Sequence, residues 1–264
     1  MRFRLKNGLC LGYKTRGAGV PIVLVPSIGC PKEFWDPVTA ELESHYRVIA
    51  MEVRGHGESD VPGGPFTMED LADDIVEMVK VLGGGQKAIV GGCSLGGQVS
   101  QTVGVKAPEV LHGIVISNTG CVRNDKIREI MESRAQAAEQ GMPVSVWTTL
   151  NRWFNEAYQK AHPEHVVLAH DWLMACDPIV HAWSWRAIKG LNTQERLKSL
   201  KVPALAIAGT NDQSSGPSEV EEMAKSMPNC MYRECKGAGH LSPLEQPREY
   251  AAFVREFAEK AIKK

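Results

Sequence analysis

Long apolar runs are missing from this chain. The longest stop well short of the ~20 residues that a membrane-spanning helix needs. Excess charge of either sign is missing too: 30 Lys and Arg stand against 31 Asp and Glu, a net charge of −1. That balance argues against nucleic acid or an anionic membrane surface as a partner, and the terminal Lys263-Lys264 is the longest basic cluster. The N-terminal stretch has no apolar block ending in a small-residue cleavage site, so no signal peptide is expected. A close-spaced metal pattern of cysteines is missing: the seven are scattered and odd in number, and Cys230 and Cys235, five apart in one strand, are expected to face opposite sides of the sheet. This pattern excludes a disulfide framework and predicts reduced thiols in a cytoplasmic protein. His162-Pro163-Glu164-His165 has the residue types of a metal site, but no third ligand is apparent and Pro163 marks a helix start. It is read as a solvated loop, and neither a metal nor another cofactor is expected.

At 264 residues the chain can bury roughly 70–75% of its unfolded surface, enough for one large α/β domain. Strand-like runs fall at 2–6, 9–15, 21–26, 46–53, 87–91, 111–117, 204–208 and 231–235. Helical patterns at 67–82, 95–107, 218–227 and 247–262 separate most of them. Thr67 with Asp70 forms a near capping box at the start of the first. The alternation predicts an eight-stranded, mostly parallel sheet with helices on both faces and an antiparallel hairpin of the first two strands at one edge. From Asn118 to about Leu197 strand signals vanish, and five of the six tryptophans gather there: Trp147, Trp153, Trp172, Trp183 and Trp185. The expected division is a core over 1–121, an inserted helical lid over 122–197, and the rest of the core over 198–264. The tryptophans either glue that lid to the core or line a cavity beneath it.

The run Ala88 to Gly97 joins an apolar strand to a helix through Gly92-Cys93-Ser94-Leu95-Gly96. This is the spacing of a nucleophile elbow. A serine on so sharp a turn needs neighbours two residues away that are nearly free of side chain. The following helix points its N-terminal amides at the place where an oxyanion develops. A Cys93 nucleophile is the rival, but its motif needs glycine at position 95, which is Leu. Asp212 follows the strand run 204–208, and His240 follows the run 231–235. Ser94, Asp212 and His240 thus come in the order nucleophile, acid, base, each beyond the C-terminal end of a strand, where open α/β sheets place their sites. Asp125 and Asp177 are the alternative acids.

Over essentially its whole length the chain resembles the α/β-hydrolases, and more narrowly the 3-oxoadipate enol-lactonases. The residues that carry this are Pro26-Ser27-Ile28-Gly29, Trp35-Asp36-Pro37, the run Val53 to Ser59, Arg152-Trp153-Phe154, Asp177-Pro178 and the run Ala208 to Asp212. Pro26 and the run Trp183-Ser184-Trp185 depart from that family's pattern. The resemblance implies an oxyanion hole made by the backbone N–H groups of Ile28 and Leu95. It also makes Arg152 and Trp153 candidates for substrate contact, Arg152 as a fork for a carboxylate. Arg186 is read as solvated, and the segment Arg54 to Gly57 as support for the turn at Ser27.

The expected function is a cofactor-independent serine hydrolase that opens a small carboxylic ester through an acyl-enzyme, with a carboxylated enol-lactone as the foremost substrate. Two rivals use the same residues. One is hydrolysis of a C–C bond in a β-diketone or vinylogous acid, and the other is a small-molecule receptor that keeps the triad. The expected partner is a small ester or lactone, and homo-oligomerisation stays open.

Overall fold

Strands buried at every residue mark the middle of the molecule: β3 (Pro21–Val25), β5 (Ala88–Cys93) and β7 (Ala204–Gly209). Continuous apolar runs of this kind belong to parallel strands covered on both faces. The computed structural model, which describes residues 1–263, joins them with β1 (Arg2–Arg4), β2 (Cys10–Arg16), β4 (Arg47–Met51), β6 (Leu111–Ser117) and β8 (Cys230–Cys235). All eight form one sheet in the order β1-β2-β4-β3-β5-β6-β7-β8. β2 pairs antiparallel with β1 and β4, and every other pairing is parallel. The strand order reverses between β3 and β5, so a crevice opens beyond their carboxyl ends.

Two groups of helices cover the sheet. α1 (Asp36–Leu42) packs with the C-terminal helix Pro247–Ile262, and α2 (Met68–Leu82) packs with α3 (Leu95–Lys106). α2 buries Met68, Leu71, Ala72, Ile75, Met78 and Val79, the stripe its 3.6-residue period predicts. Its capping box is formed with Asp70 in place of the usual Glu: the Asp70 N–H donates to Thr67 Oγ1 at 3.1 Å, and the Thr67 N–H to Asp70 Oδ2 at 2.8 Å.

Between β6 and β7 the chain makes only helices: α4 (Asp125–Glu139), α5 (Met142–Trp153), α6 (Glu156–Ala161), α7 (Pro163–Met174), α8 (Pro178–Lys189) and α9 (Gln194–Leu197). Their starts are fixed locally. Asn124, Asn155 and Asp177 cap α4, α6 and α8 through their side chains. After β7 come α10 (Pro217–Ser226), α11 (Ser242–Glu245) and α12, the C-terminal helix. Among the described residues, no helix is long and apolar enough to cross a membrane.

Candidate active site

β5 ends at Cys93 and α3 begins at Leu95, so Ser94 must turn the chain by itself. It does so at φ 54° and ψ −113°, in the left-handed region that costs a residue with a side chain on the order of 1–3 kcal/mol. The turn is tight enough that a Cβ on Gly92 would run into the backbone of Gly96, and one on Gly96 into the carbonyl of Val25. Both glycines of the motif are thereby explained by the crossing of two backbones. The Ser94 N–H donates to Ser117 O at 2.9 Å, anchoring the elbow to the end of β6.

His240 and Asp212 meet this serine. His240 Nε2 lies 2.9 Å from Ser94 Oγ, and its Nδ1 lies 2.9 Å from Asp212 Oδ2 and 3.1 Å from Oδ1. A carboxylate only accepts, so Nδ1 carries the proton and Nε2 is left to accept from the serine hydroxyl. Asp212 also accepts the N–H groups of Ser214 and Ser215 at 2.7 and 3.1 Å and the Asn118 amide at 3.2 Å. Its side chain has no exposed surface, and these donors keep the buried carboxylate satisfied. The alternative acids lie elsewhere. Asp177 caps α8 through the N–H groups of Ile179 and Val180, and Asp125 is exposed on the first turn of α4. Cys93 is buried with its Sγ 3.4 Å from His240 O, and burial pushes its thiol far above the ordinary range. That is the reverse of what a thiolate nucleophile needs.

Ile28 sits in the turn after β3. Gly29 takes φ +75°, and the Cys30 N–H donates to Ser27 O at 3.1 Å. The Gly96 N–H donates to Pro26 O at 3.1 Å, tying this turn to the elbow. Among the described residues the N–H groups of Ile28 and Leu95 donate to no protein acceptor. Leu95 is the first residue of α3, where a helix leaves its N–H free. The run Arg54 to Gly57, read as support for this turn, is anchored to α2 and to its own loop. Buried Glu52 accepts Lys32 Nζ at 3.0 Å and the Glu58 N–H at 2.8 Å, while Arg54 grips Asp74 with two bonds of 2.7 and 2.8 Å.

Above Ser94 and His240 lies a cavity of about 140 Å³ whose wall includes Gln98, Thr119, Arg123, Arg134, Arg152 and Trp185. Arg152, read from the sequence, is therefore at the cavity, and its buried Nη2 has no partner. Burial, with the nearby Arg134 charge, pushes the Arg152 pKa down to about 9. Trp153 is placed differently from that reading. Its indole is 1% exposed and packs into the core, and it does not line the cavity. Neighbouring residues on a helix point about 100° apart, so Arg152 and Trp153 cannot both face the same space. The tryptophan on the wall is Trp185. Trp153 still bears on the site through its carbonyl, which accepts the His240 N–H at 2.9 Å. Arg186 is paired with Glu132 and Glu139 on the surface.

Two residues near the triad escape a reading by motif. Asn118, at φ 54° just past β6, donates to Asp212 and to Gly239 O and accepts from Ser242 Oγ at 2.5 Å. Its signal was available: it follows one strand as Asp212 follows the next. Glu245 accepts the N–H groups of Gly239 and Leu241, on either side of His240. Away from the cavity wall, His162, Glu164 and His165, all within the tetrapeptide read as a solvated loop, bring their ligand atoms within 4.8 Å of one another. Tyr158 Oη stands 2.7 Å from His165 Nδ1.

Comparison with known proteins agrees with this architecture. The chain is 29% identical over 239 residues to 3-oxoadipate enol-lactonase 1 of Acinetobacter baylyi, covering 89% of this chain and 87% of that one. It is 28% identical to the (E)-2-((N-methylformamido)methylene)succinate hydrolase of the same organism, over 84% and 83% of the two chains. The crystal structure of the enol-lactonase from Burkholderia xenovorans LB400 superposes with a TM-score of 0.92 at 27% identity, over 98% of this chain and 100% of that one. A family model described as the alpha/beta hydrolase family matches residues 22–253, and the chain belongs to that family.

Proposed function

We propose that the protein is a serine hydrolase of a small carboxylic ester, foremost a carboxylated enol-lactone, acting through an acyl-enzyme under a helical lid formed by residues 122–197. The observation that carries this reading is the unbroken line of hydrogen bonds from Ser94 Oγ through His240 to the buried Asp212. Ser94 Oγ attacks the lactone carbonyl while His240 Nε2 takes its proton. Asp212 holds the tautomer and stabilises the imidazolium. The N–H groups of Ile28 and Leu95 receive the oxyanion, aided by the positive end of α3. Collapse of the tetrahedral intermediate breaks the ring C–O bond. His240 returns the proton to the departing oxygen, and water activated by the same imidazole then releases the acid.

The substrate class rests on Arg152, a buried cation without a protein partner beside the reacting serine, and on the likeness to enol-lactonases. A side-by-side turnover assay of a carboxylated enol-lactone, a neutral lactone, an aryl acetate and a vinylogous C–C substrate tests it. The carboxylated lactone should give the highest kcat/KM. Preference for the C–C substrate would replace the lactonase reading with its rival, and no turnover of any of the four would favour a receptor.

A further inference from the structure

Cations on and around the cavity differ in how their charges are balanced. On the outer surface of the inserted helices they have acidic partners: Arg186 reaches Glu132 at 2.9 Å, and Lys189 reaches the same carboxylate at 2.9 Å. On the cavity wall, Arg123 donates to the carbonyls of Ile188 and Val122 at 3.0 and 2.6 Å, and feels the charge of Glu219, which also lines the cavity. Arg134 and Arg152 have no hydrogen-bonded partner of this kind, although Arg152 feels the charge of Asp212. Among the described residues Arg134 donates only to the Met131 sulfur, at 4.0 Å, and Arg152 donates to nothing. Both guanidinium groups lie against the same indole, with their Cζ atoms 4.9 and 5.5 Å from the Trp185 ring centroid. Burial lowers the pKa of both, and Arg134 lowers that of Arg152 further, yet at about 9 Arg152 remains a cation at neutral pH.

Two neighbouring guanidinium groups, partly stripped of water and with no carboxylate in hydrogen-bond contact, destabilise the empty site, and an incoming anion relieves that. A protein that needed these arginines only for packing could have paired them as it pairs Arg186. Trp185 offers each guanidinium a π face but supplies no negative charge. One carboxylate can fork to one guanidinium, so two unpaired forks on one wall match two carboxylates.

We propose that the cavity binds a ligand carrying two carboxylates, one held by Arg152 and the other by Arg134, with the carbon chain between them lying on Trp185. The proposal rests on reading this cavity as the acyl site of Ser94, and it narrows the substrate to an ester or lactone whose acid portion is doubly anionic.

Calorimetric titration of the wild type with succinate, glutarate and adipate, against butyrate, pentanoate and hexanoate, tests it without turnover. At least one dicarboxylate should bind roughly tenfold or more tightly than the monocarboxylate of its length. Arg134→Gln and Arg152→Gln should each bring that ratio down towards one. On the wild type alone, dicarboxylate affinity should fall with added salt about twice as steeply as monocarboxylate affinity, which keeps the test open if a variant fails to fold. Equal affinities, equal salt slopes, or a ratio untouched by Arg134→Gln would overturn the proposal. The last result would place the second carboxylate at the N–H groups of Ile28 and Leu95. Because binding is read directly, an inactive wild type would count against the hydrolase reading and not against this one.

Discussion

Glu245 holds His240 without touching its imidazole. Its Oε2 accepts the Gly239 N–H at 2.8 Å and its Oε1 the Leu241 N–H at 3.1 Å, so one carboxylate fixes both peptides that bracket the histidine. Glu245→Gln keeps the shape but sets an amide NH₂ against one of those donors. Losing that bond in a buried place costs about 1–2 kcal/mol, and kcat should fall by roughly 5- to 30-fold with little change in KM. The same residue has a thermodynamic signature. Burial raises its pKa to about 7 in the folded protein, against 4.5 for an ordinary glutamate. Between those values the folded state keeps a proton that the unfolded chain has released, so stability falls as pH rises from 4.5 to 7 and levels off above. Urea unfolding should show a loss of at most about 3 kcal/mol across that window, absent from Glu245→Gln. Parallel stability curves for the two proteins would refute the assignment.

Two buried histidines should act with the opposite sign. Burial pushes His181 down to about 3 and His56 to about 4, so both are neutral in the folded protein. The unfolded chain takes up protons below about pH 6.5, and stability is lost as pH falls through the window from there to the folded values. Both ring nitrogens of His181 lack partners among the described residues. Replacing it with an apolar side chain therefore removes an unsatisfied group. His181→Leu should be at least as stable as the wild type at pH 7.5 and lose about 1.4 kcal/mol less per pH unit below 6.5. An acid transition that does not move would show that His181 is hydrated in the folded state.

The choice between neighbouring nucleophiles is open to a direct check. Ser94 Oγ faces His240, whereas the Cys93 sulfur lies behind it, fully buried against a carbonyl. Ser94→Ala should abolish turnover while the circular dichroism and unfolding midpoint stay near those of the wild type. Cys93→Ala should keep most of the activity and lose some stability from the small void it leaves. A folded but inactive Cys93→Ala protein would reverse the assignment.

How much of this was legible in the chain depends on what kind of contact carries the information. The elbow at Ser94 is local: a strand, a turn crowded enough to demand Gly92 and Gly96, and a helix all lie within one short run. The alternation of strand and helix is likewise local and yields the sheet. Long-range contacts left no such trace. The resemblance points to Trp153 as the tryptophan of the cavity wall, and the rotation of α5 and α8 against the core puts Trp185 there instead. Asn118 becomes meaningful once β6 and β7 are neighbours, because their ends then bring its amide to Asp212. Glu245 is five residues from His240 in no recognised motif, and its part shows only where the chain folds back so that it accepts the N–H groups on either side of that histidine.

Arg152 offers the sharpest test of what the cavity recognises. Its guanidinium lines the same space as Ser94 and His240, stacks on Trp185, and has a buried nitrogen with no protein acceptor. If it binds a substrate carboxylate, removing it deletes a charge-assisted hydrogen bond in a partly dehydrated place. That loss is about 1.5–3 kcal/mol, a drop of roughly 10- to 150-fold in kcat/KM for a carboxylated lactone. A neutral ester of similar size makes no such bond, and its kcat/KM should change less than about threefold. If Arg152 served only to hold the helices in place, its loss would loosen α5, and with it the Trp153 carbonyl that fixes the His240 backbone. Both substrates would then suffer alike, through kcat. Steady-state kinetics of Arg152→Ala on the two substrates separates these cases, and equal losses would exclude anion recognition while leaving the roles of Ser94, His240 and Asp212 untouched.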